Sequence, residues 1–146
     1  MKKHKDILES QKRFVQRRED FLELNYKFYD NLVRQIGEEL EIPNGSLIKY
    51  KAGTNDNINI IEKWMELNDD ESCSMRVGIV ADNISHTVSL SNYKNGNDFT
   101  LSVICEDEHK EFEYNLKTVQ PDSIDFKDVT TFISDSLVGS YDKWKF

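Results

Sequence analysis

The chain has 146 residues, of which 38% are apolar and 32% are charged, and its formal net charge is −8. Eight Phe, six Tyr and two Trp supply enough large apolar side chains for a core, which excludes a disordered chain. No apolar run reaches the ~18 residues of a membrane span, and no hydrophobic signal segment follows Met1–Lys5. We therefore expect one folded α+β domain in the cytoplasm, without a membrane partner.

The charge is unevenly distributed along the chain. Residues 1–18 have seven basic and two acidic side chains, a net charge of +5, whereas residues 19–146 have 12 basic and 25 acidic side chains, a net charge of −13. The basic segment could bind nucleic acid or the acidic body of a second copy, or simply be solvated. Two Ala against 12 Asn, 12 Ile and 14 Lys is typical of an AT-rich genome, such as that of a phage or mobile element.

A long amphipathic helix is predicted within residues 1–40. Apolar pairs recur every seven residues, and Gln11, Arg18 and Asn25 interrupt the apolar arc once per heptad. Thirty-six helical residues are about 54 Å long, whereas a compact chain of this size has a diameter of roughly 38 Å. The first turns are therefore expected to extend beyond the body of the protein.

This extension predicts an interaction surface, because it would leave Ile7, Leu8, Phe14 and Val15 in water beside Arg18. We expect a second copy to cover it, for example as a coiled-coil seam in which the polar positions set the register. The alternative is a frayed or folded-back arm. If the arm binds nucleic acid instead, the residues expected to do so are Lys12, Arg13, Arg17 and Arg18.

An antiparallel sheet of five or six strands is predicted over residues 46–118. The turn Pro43-Asn44-Gly45 separates it from the helix, and a strand over residues 46–52 follows. Residues 58–67 fit a strand or a short helix, and a strand is favoured. The clearest part is a meander of strands with short polar turns, at residues 74–82, 86–93, 98–105 and 110–117.

A second helix is predicted over residues 124–139, with Asp125 as its N-cap and Gly139 as its stop. Residues 140–146 then form an aromatic tail, which is a further candidate interaction surface unless it packs on the protein's own core. Its aromatic residues are Tyr141, Trp144 and Phe146.

Turns of three, four and four residues predict the register of the meander. In this register one row facing the helices contains four apolar residues, and the Ser/Thr-rich face of the sheet is at least partly open to water. That row is Val80, Val88, Val103 and Phe112.

The same register predicts a row at the end of the sheet that contains Asp82, His86, Cys105 and Lys110. A thiol beside an imidazole beside a carboxylate is the arrangement that activates a nucleophilic cysteine. A solvated sheet rim is the alternative, and no glycine-rich oxyanion loop lies nearby in sequence. These residues are therefore kept as candidates, and no catalytic residue is assigned.

The sequence predicts no metal site and no cofactor. Cys73 and Cys105 form no CxxC pair, only three His are present, and phosphate-binding glycine motifs are absent. In a meander the two cysteines lie on strands separated by a third, about 10 Å apart, which is too far for a disulfide. Two free thiols are expected.

The residues favour a non-enzymatic interaction protein that is homo-oligomeric through its N-terminal helix. Its acidic body would suit a protein with a basic surface, or a small ligand, as in inhibitors, immunity proteins, chaperone-like proteins and accessory factors of phages or mobile elements. One alternative is a nucleic-acid-binding protein that uses the basic helix. The other is an enzyme with a site at Cys105, His86 and Asp82.

Overall fold

In residues 1–145, which the computed structural model describes, two helices pack on one face of a six-stranded antiparallel sheet. Helix α1 spans His4–Glu39 and helix α2 spans Lys127–Asp142. The predicted α+β class, with a long first helix and a helix-covered sheet, is confirmed. The strands are β1 (Leu47–Lys49), β2 (Glu66–Leu67), β3 (Cys73–Ala81), β4 (Ile84–Asn95), β5 (Asp98–Cys105) and β6 (Glu108–Asn115).

Strands β3 to β6 form the predicted meander, and the order across the sheet is β1-β3-β4-β5-β6. The outer side of β3 is shared by two short strands, since β2 pairs with residues 73–74 and β1 with residues 77–79. Strand β6 lies at the opposite edge of the sheet. The sheet therefore ends on one side in a largely exposed edge strand with four charged residues, in which Phe112 is buried and Tyr114 is half-buried.

The prediction of a strand over residues 58–67 was wrong. This segment contains a 3₁₀ turn at Ile61–Lys63, and only Glu66–Leu67 pairs with the sheet. The turn brings Trp64 into the core, where its indole N–H donates to the Ile58 carbonyl at 2.6 Å. Burial of this ring outweighs the β propensity of the isoleucine-rich run.

The predicted register was also wrong, because each turn of the meander contains two residues. The turns are Asp82-Asn83, Gly96-Asn97 and Glu106-Asp107. Asp82 and Asn83 have φ of 50° and 67°, the left-handed conformation of the tightest hairpin turns, which Asp and Asn adopt more readily than other non-glycine residues.

A turn that is one residue shorter reverses the faces of β3 relative to β4. Val77 therefore lies opposite Val88 and Met75 opposite Leu90, and all four side chains are buried under the helices. Val80, predicted in the core row, lies on the other face. The β4–β5 and β5–β6 turns are two residues shorter than predicted. The side chains of these strands therefore keep their faces, but each residue lies opposite one that is two positions away from its predicted partner.

The core is centred on Phe28 of α1, which is fully buried. Four aromatic rings surround it, with centroid distances of 4.9–5.7 Å, in tilted and edge-to-face orientations that add about 0.5–1.5 kcal/mol each to the burial of their area. They come from α1, from two strands and from the segment before α2, so this one side chain joins both layers. The rings are Tyr29, Phe99, Tyr114 and Phe126.

Two side-chain amides of α1 hold the segment that leads into α2. Asn31 donates to the carbonyls of Pro121 and Ile124 at 3.1 and 3.0 Å. Gln35 donates to the same Ile124 carbonyl at 2.6 Å and accepts the N–H of Phe126 at 2.8 Å. These bonds satisfy backbone groups in a stretch without regular pairing, and they fix where α2 begins.

Both predicted ends of α2 were displaced. Phe126 occupies the N-cap position, and Asp125 instead accepts the N–H of Lys127 at 3.0 Å. Gly139 lies inside the helix, which continues to Asp142, because its backbone does not adopt the left-handed conformation of a glycine stop.

Tyr50 crosses the open face of the sheet at Gly78. Its hydroxyl shares a hydrogen bond of 3.0 Å with Ser85, and a Cβ added at Gly78 would stand 2.5 Å from that hydroxyl. Gly78→Ala should therefore lower the free energy of unfolding, measured in urea, by about 1–3 kcal/mol. In a Tyr50→Phe background the closest clash is absent and the cost should shrink.

Gly139→Ala is the matched control, because nothing lies within 4 Å of its added Cβ. This exposed helical site should gain roughly 0.5–1 kcal/mol. An equal cost of Gly78→Ala in both backgrounds would contradict the contact between Tyr50 and Gly78.

Candidate functional site

The first half of α1 extends beyond the sheet, as its length predicts. Residues 7–20 are exposed, and the first buried residue of the helix is Asn25. Residues 4–20, which we call the overhang, make about 25 Å of helix. Its apolar side chains remain in water, and the exposed fractions of Ile7, Leu8, Phe14 and Val15 are 53%, 44%, 59% and 48%.

Three heptad rows run along α1 from the overhang into the core. In each row the first two residues are exposed and the fourth is fully buried. The overhang therefore presents the same helix face that the second half of α1 buries against the sheet. The rows are Ile7-Phe14-Phe21-Phe28, Leu8-Val15-Leu22-Tyr29 and, between them, Gln11-Arg18-Asn25-Leu32.

The middle row shows how a polar residue on this helix face is accommodated when the face is buried. Asn25 is fully buried, and its Oδ1 accepts a hydrogen bond of 3.0 Å from Asn92 of β4, which is also fully buried. Its own amide donates to the Phe21 carbonyl at 2.9 Å. The covering surface therefore provides a polar partner where the middle row needs one. Gln11 and Arg18 hold the equivalent positions on the overhang.

The four residues predicted for nucleic-acid binding do not share one helix face. At 100° per residue, Lys12, Arg13, Arg17 and Arg18 are spread around the axis with no gap above about 120°. Arg18 lies in the middle row, and Lys12 and Arg17 flank it on either side. Arg13 points elsewhere and donates to Ser10 at 3.0 Å.

The second predicted interaction surface lies at the other end of the molecule. Val138, Tyr141 and Trp144, at the end of α2, are more than half exposed. This end of α2 reaches the β3–β4 and β5–β6 turns, whereas the overhang leaves the body beside Phe99, near the β4–β5 turn. The two candidate surfaces are therefore separate. Phe146, also predicted in the tail, lies outside the described residues.

His86 fastens the end of α2 to the sheet. Its Nδ1 is 2.9 Å from the Glu106 carboxylate, and its Nε2 is 3.4 Å from the Tyr141 hydroxyl. The imidazole and phenol rings meet edge to face with centroids 5.7 Å apart. The imidazole is thus held between two elements of the chain's own fold. Asp82, its predicted carboxylate partner, lies in the exposed β3–β4 turn.

The predicted row of Asp82, His86, Cys105 and Lys110 at the end of the sheet is not formed. Cys105 lies opposite Val88 on β4 and Glu108 on β6. Its side chain is fully buried, with its Sγ 3.9 Å from the Ile133 carbonyl of α2. The two-residue turns displace His86 from the position opposite Cys105, so the structure does not assemble the thiol, imidazole and carboxylate.

The electrostatic setting of both thiols opposes nucleophilic chemistry. Burial, with Glu106 and Glu108 adding to it, raises the pKa of Cys105 from 9.0 to about 11. Burial raises the pKa of Cys73 from 9.0 to about 12. Both are free cysteines on strands separated by β4, which confirms the prediction of two free thiols. Near neutral pH they are protonated and behave as small apolar side chains.

A groove between the edge strand β6 and α2 is rich in carboxylates, and it was not predicted from the sequence. It contains half-buried Phe132, whose ring packs against Phe112 at 6.1 Å. The seven-residue spacing of Asp128 and Asp135 was the available signal, but the neighbouring strand could not be read from it. We call this the acidic groove, and its charged residues are Glu108, Lys110, Asp125, Lys127, Asp128 and Asp135.

No protein-family model, curated protein or solved structure matches the chain. No helix within residues 1–145 is both long enough and apolar enough to cross a membrane. Across that same stretch, His, Cys, Asp and Glu form no group of three or more that could hold a metal ion. The function therefore has to be inferred from the surfaces that the fold exposes.

The buried thiols make a pH-dependent prediction. An alkylating reagent should modify the native protein slowly at pH 7 and both thiols rapidly after unfolding.

Because the unfolded thiols ionise near pH 9 and the folded ones only near 11 or 12, the free energy of unfolding should be unaffected below pH 8 and fall above it. A Cys73→Ala/Cys105→Ala variant should lack this fall between pH 8 and 10. Rapid native-state labelling of Cys105 at pH 7 would contradict its burial.

Proposed function

We propose that the protein is a non-enzymatic interaction protein that self-associates through the overhang and presents its acidic body to a basic partner. The observation that carries this proposal is the continuity of the heptad rows, which are buried in the second half of α1 and exposed in the first half. A helix face built like a core face is an assembly surface when no part of the same chain covers it.

The energetics suit a reversible association. Full burial of a side chain such as Leu or Phe contributes about 1.5–3 kcal/mol, and Ile7, Leu8, Phe14 and Val15 are each about half exposed. Covering the four recovers roughly 3–6 kcal/mol, from which the entropy of association is subtracted. Polar contacts made by Gln11 and Arg18 have to supplement this gain, so the affinity should depend on salt.

The acidic body would supply specificity for the outside partner. The net charge of −13 on residues 19–146 steers a basic protein surface toward the body and repels nucleic acid. The proposed role is that of an inhibitor, an immunity protein, a chaperone-like protein or an accessory factor of a phage or mobile element, and two reduced, buried thiols agree with a cytoplasmic site of action.

Self-association is tested by light scattering on the full chain over a range of concentrations. The wild type should have a multiple of the 17.1 kDa monomer mass. Leu8→Gln/Phe14→Gln should be monomeric, because it removes one member from each apolar row. Glu9→Gln/Arg13→Gln, on the side of the overhang opposite the apolar rows and neutral in net charge, is the matched control and should keep the wild-type mass.

A wild type of 17.1 kDa at every concentration would overturn the proposal. Tight binding of duplex DNA in 0.15 M salt, abolished by Lys12→Glu/Arg17→Glu, would favour the nucleic-acid alternative. We expect Leu8→Gln/Phe14→Gln to be monomeric, and we expect none of the proteins to bind DNA.

A further inference from the structure

We infer that the overhang of one copy docks in the acidic groove of a second copy, in a head-to-tail assembly. This inference rests on the proposed self-association and names the surface that receives the overhang. Two occupants of the overhang's apolar face are possible within such an assembly: the overhang of another copy, or part of another copy's body. The arginine in the middle row, Arg18, decides between them.

The overall charge of the overhang does not decide, because residues 4–20 have five basic and four acidic side chains. The middle row does, because Arg18 lies between the two apolar rows and would be enclosed with them. An enclosed guanidinium needs a carboxylate or several acceptors. On the overhang of a second copy, the three heptad rows contain no carboxylate, and the middle row offers only Gln11 and another Arg18.

The acidic groove offers what the overhang lacks. Four carboxylates line it, and of its two lysines one, Lys127, is already paired with Glu39 at 3.2 Å. Phe132 gives the groove an apolar side chain between these charges. The apolar rows of the overhang have Arg18 between them and Lys12 and Arg17 on either side, and this pattern is complementary to such a surface.

The two surfaces also match in length. From Lys12 to Arg18 the overhang spans about 9 Å, and from Asp128 to Asp135 helix α2 spans about 10 Å. Basic and acidic side chains can therefore meet at both ends of the contact. The neighbouring strand β6 contributes Glu108 on the other side of the groove.

The overhang cannot reach the groove of its own chain. The groove adjoins the C-terminal end of α1, where Lys127 contacts Glu39, and Arg18 lies about 32 Å away along the unbroken helix. Docking is therefore between copies. Because donor and acceptor surfaces differ, each copy can bind one neighbour at each end, and the assembly closes into a ring or extends as a chain.

Charge reversal tests this arrangement in the full-length protein. Lys12→Glu/Arg18→Glu reverses the overhang, and Glu108→Lys/Asp135→Lys reverses the groove at exposed positions away from the N-cap of α2. Glu62→Lys/Glu66→Lys makes the same change in net charge at the far edge of the sheet and is the control. Circular dichroism establishes that each variant is folded before its mass is measured.

Each reversed variant should self-associate at least tenfold more weakly than the wild type, and the control should match the wild type or exceed it. An equimolar mixture of the overhang and groove variants should recover the wild-type mass, because every contact then joins opposite charges. A groove variant that keeps the wild-type mass while the wild type is oligomeric would overturn the inference and leave the proposed function intact. A monomeric wild type would overturn the proposed function itself.

Discussion

The structure depends on an unbroken helix that is longer than the body on which it packs. Proline and glycine are absent from α1 until Gly37, so nothing bends the helix back over the sheet. Its second half supplies Phe28, around which four aromatic rings pack, and the amides of Asn31 and Gln35 that position α2. Because the same helix is continuous with the overhang, the body that anchors one half also holds the other half rigidly in solvent.

This rigidity changes what the overhang can do. An isolated helix of 17 residues is marginal in water because nucleation is costly, but an extension of an anchored helix avoids that cost. The apolar rows of the overhang are thereby already ordered before binding, and less conformational entropy is lost on binding than for a flexible arm. The acidic groove is positioned by the same helix, through the segment that Asn31 and Gln35 hold, so one element of the fold organises both candidate contact surfaces.

The sequence was informative where a pattern repeats over many residues and uninformative where one residue decides. Seven-residue spacing predicted α1, its overhang and its exposed side chains, and alternating apolar residues predicted the meander. The register failed because faces alternate residue by residue, so one misplaced residue in the turn at Asp82-Asn83 moved Val77 into the core. A two-residue error in the turn at Gly96-Asn97 separated Cys105 from His86. The acidic groove could not be predicted, because it depends on how α2 lies against β6, which long-range contacts determine.

Hydrogen exchange of the overhang amides, followed by mass spectrometry at several protein concentrations, tests most directly whether a second copy covers this surface. Peptides from residues 7–18 should exchange more slowly as concentration rises, whereas peptides from residues 28–36, buried in every copy, should exchange at a constant rate. Exchange of residues 7–18 that is fast and independent of concentration would show an overhang that stays in solvent, and would contradict its role as an assembly surface.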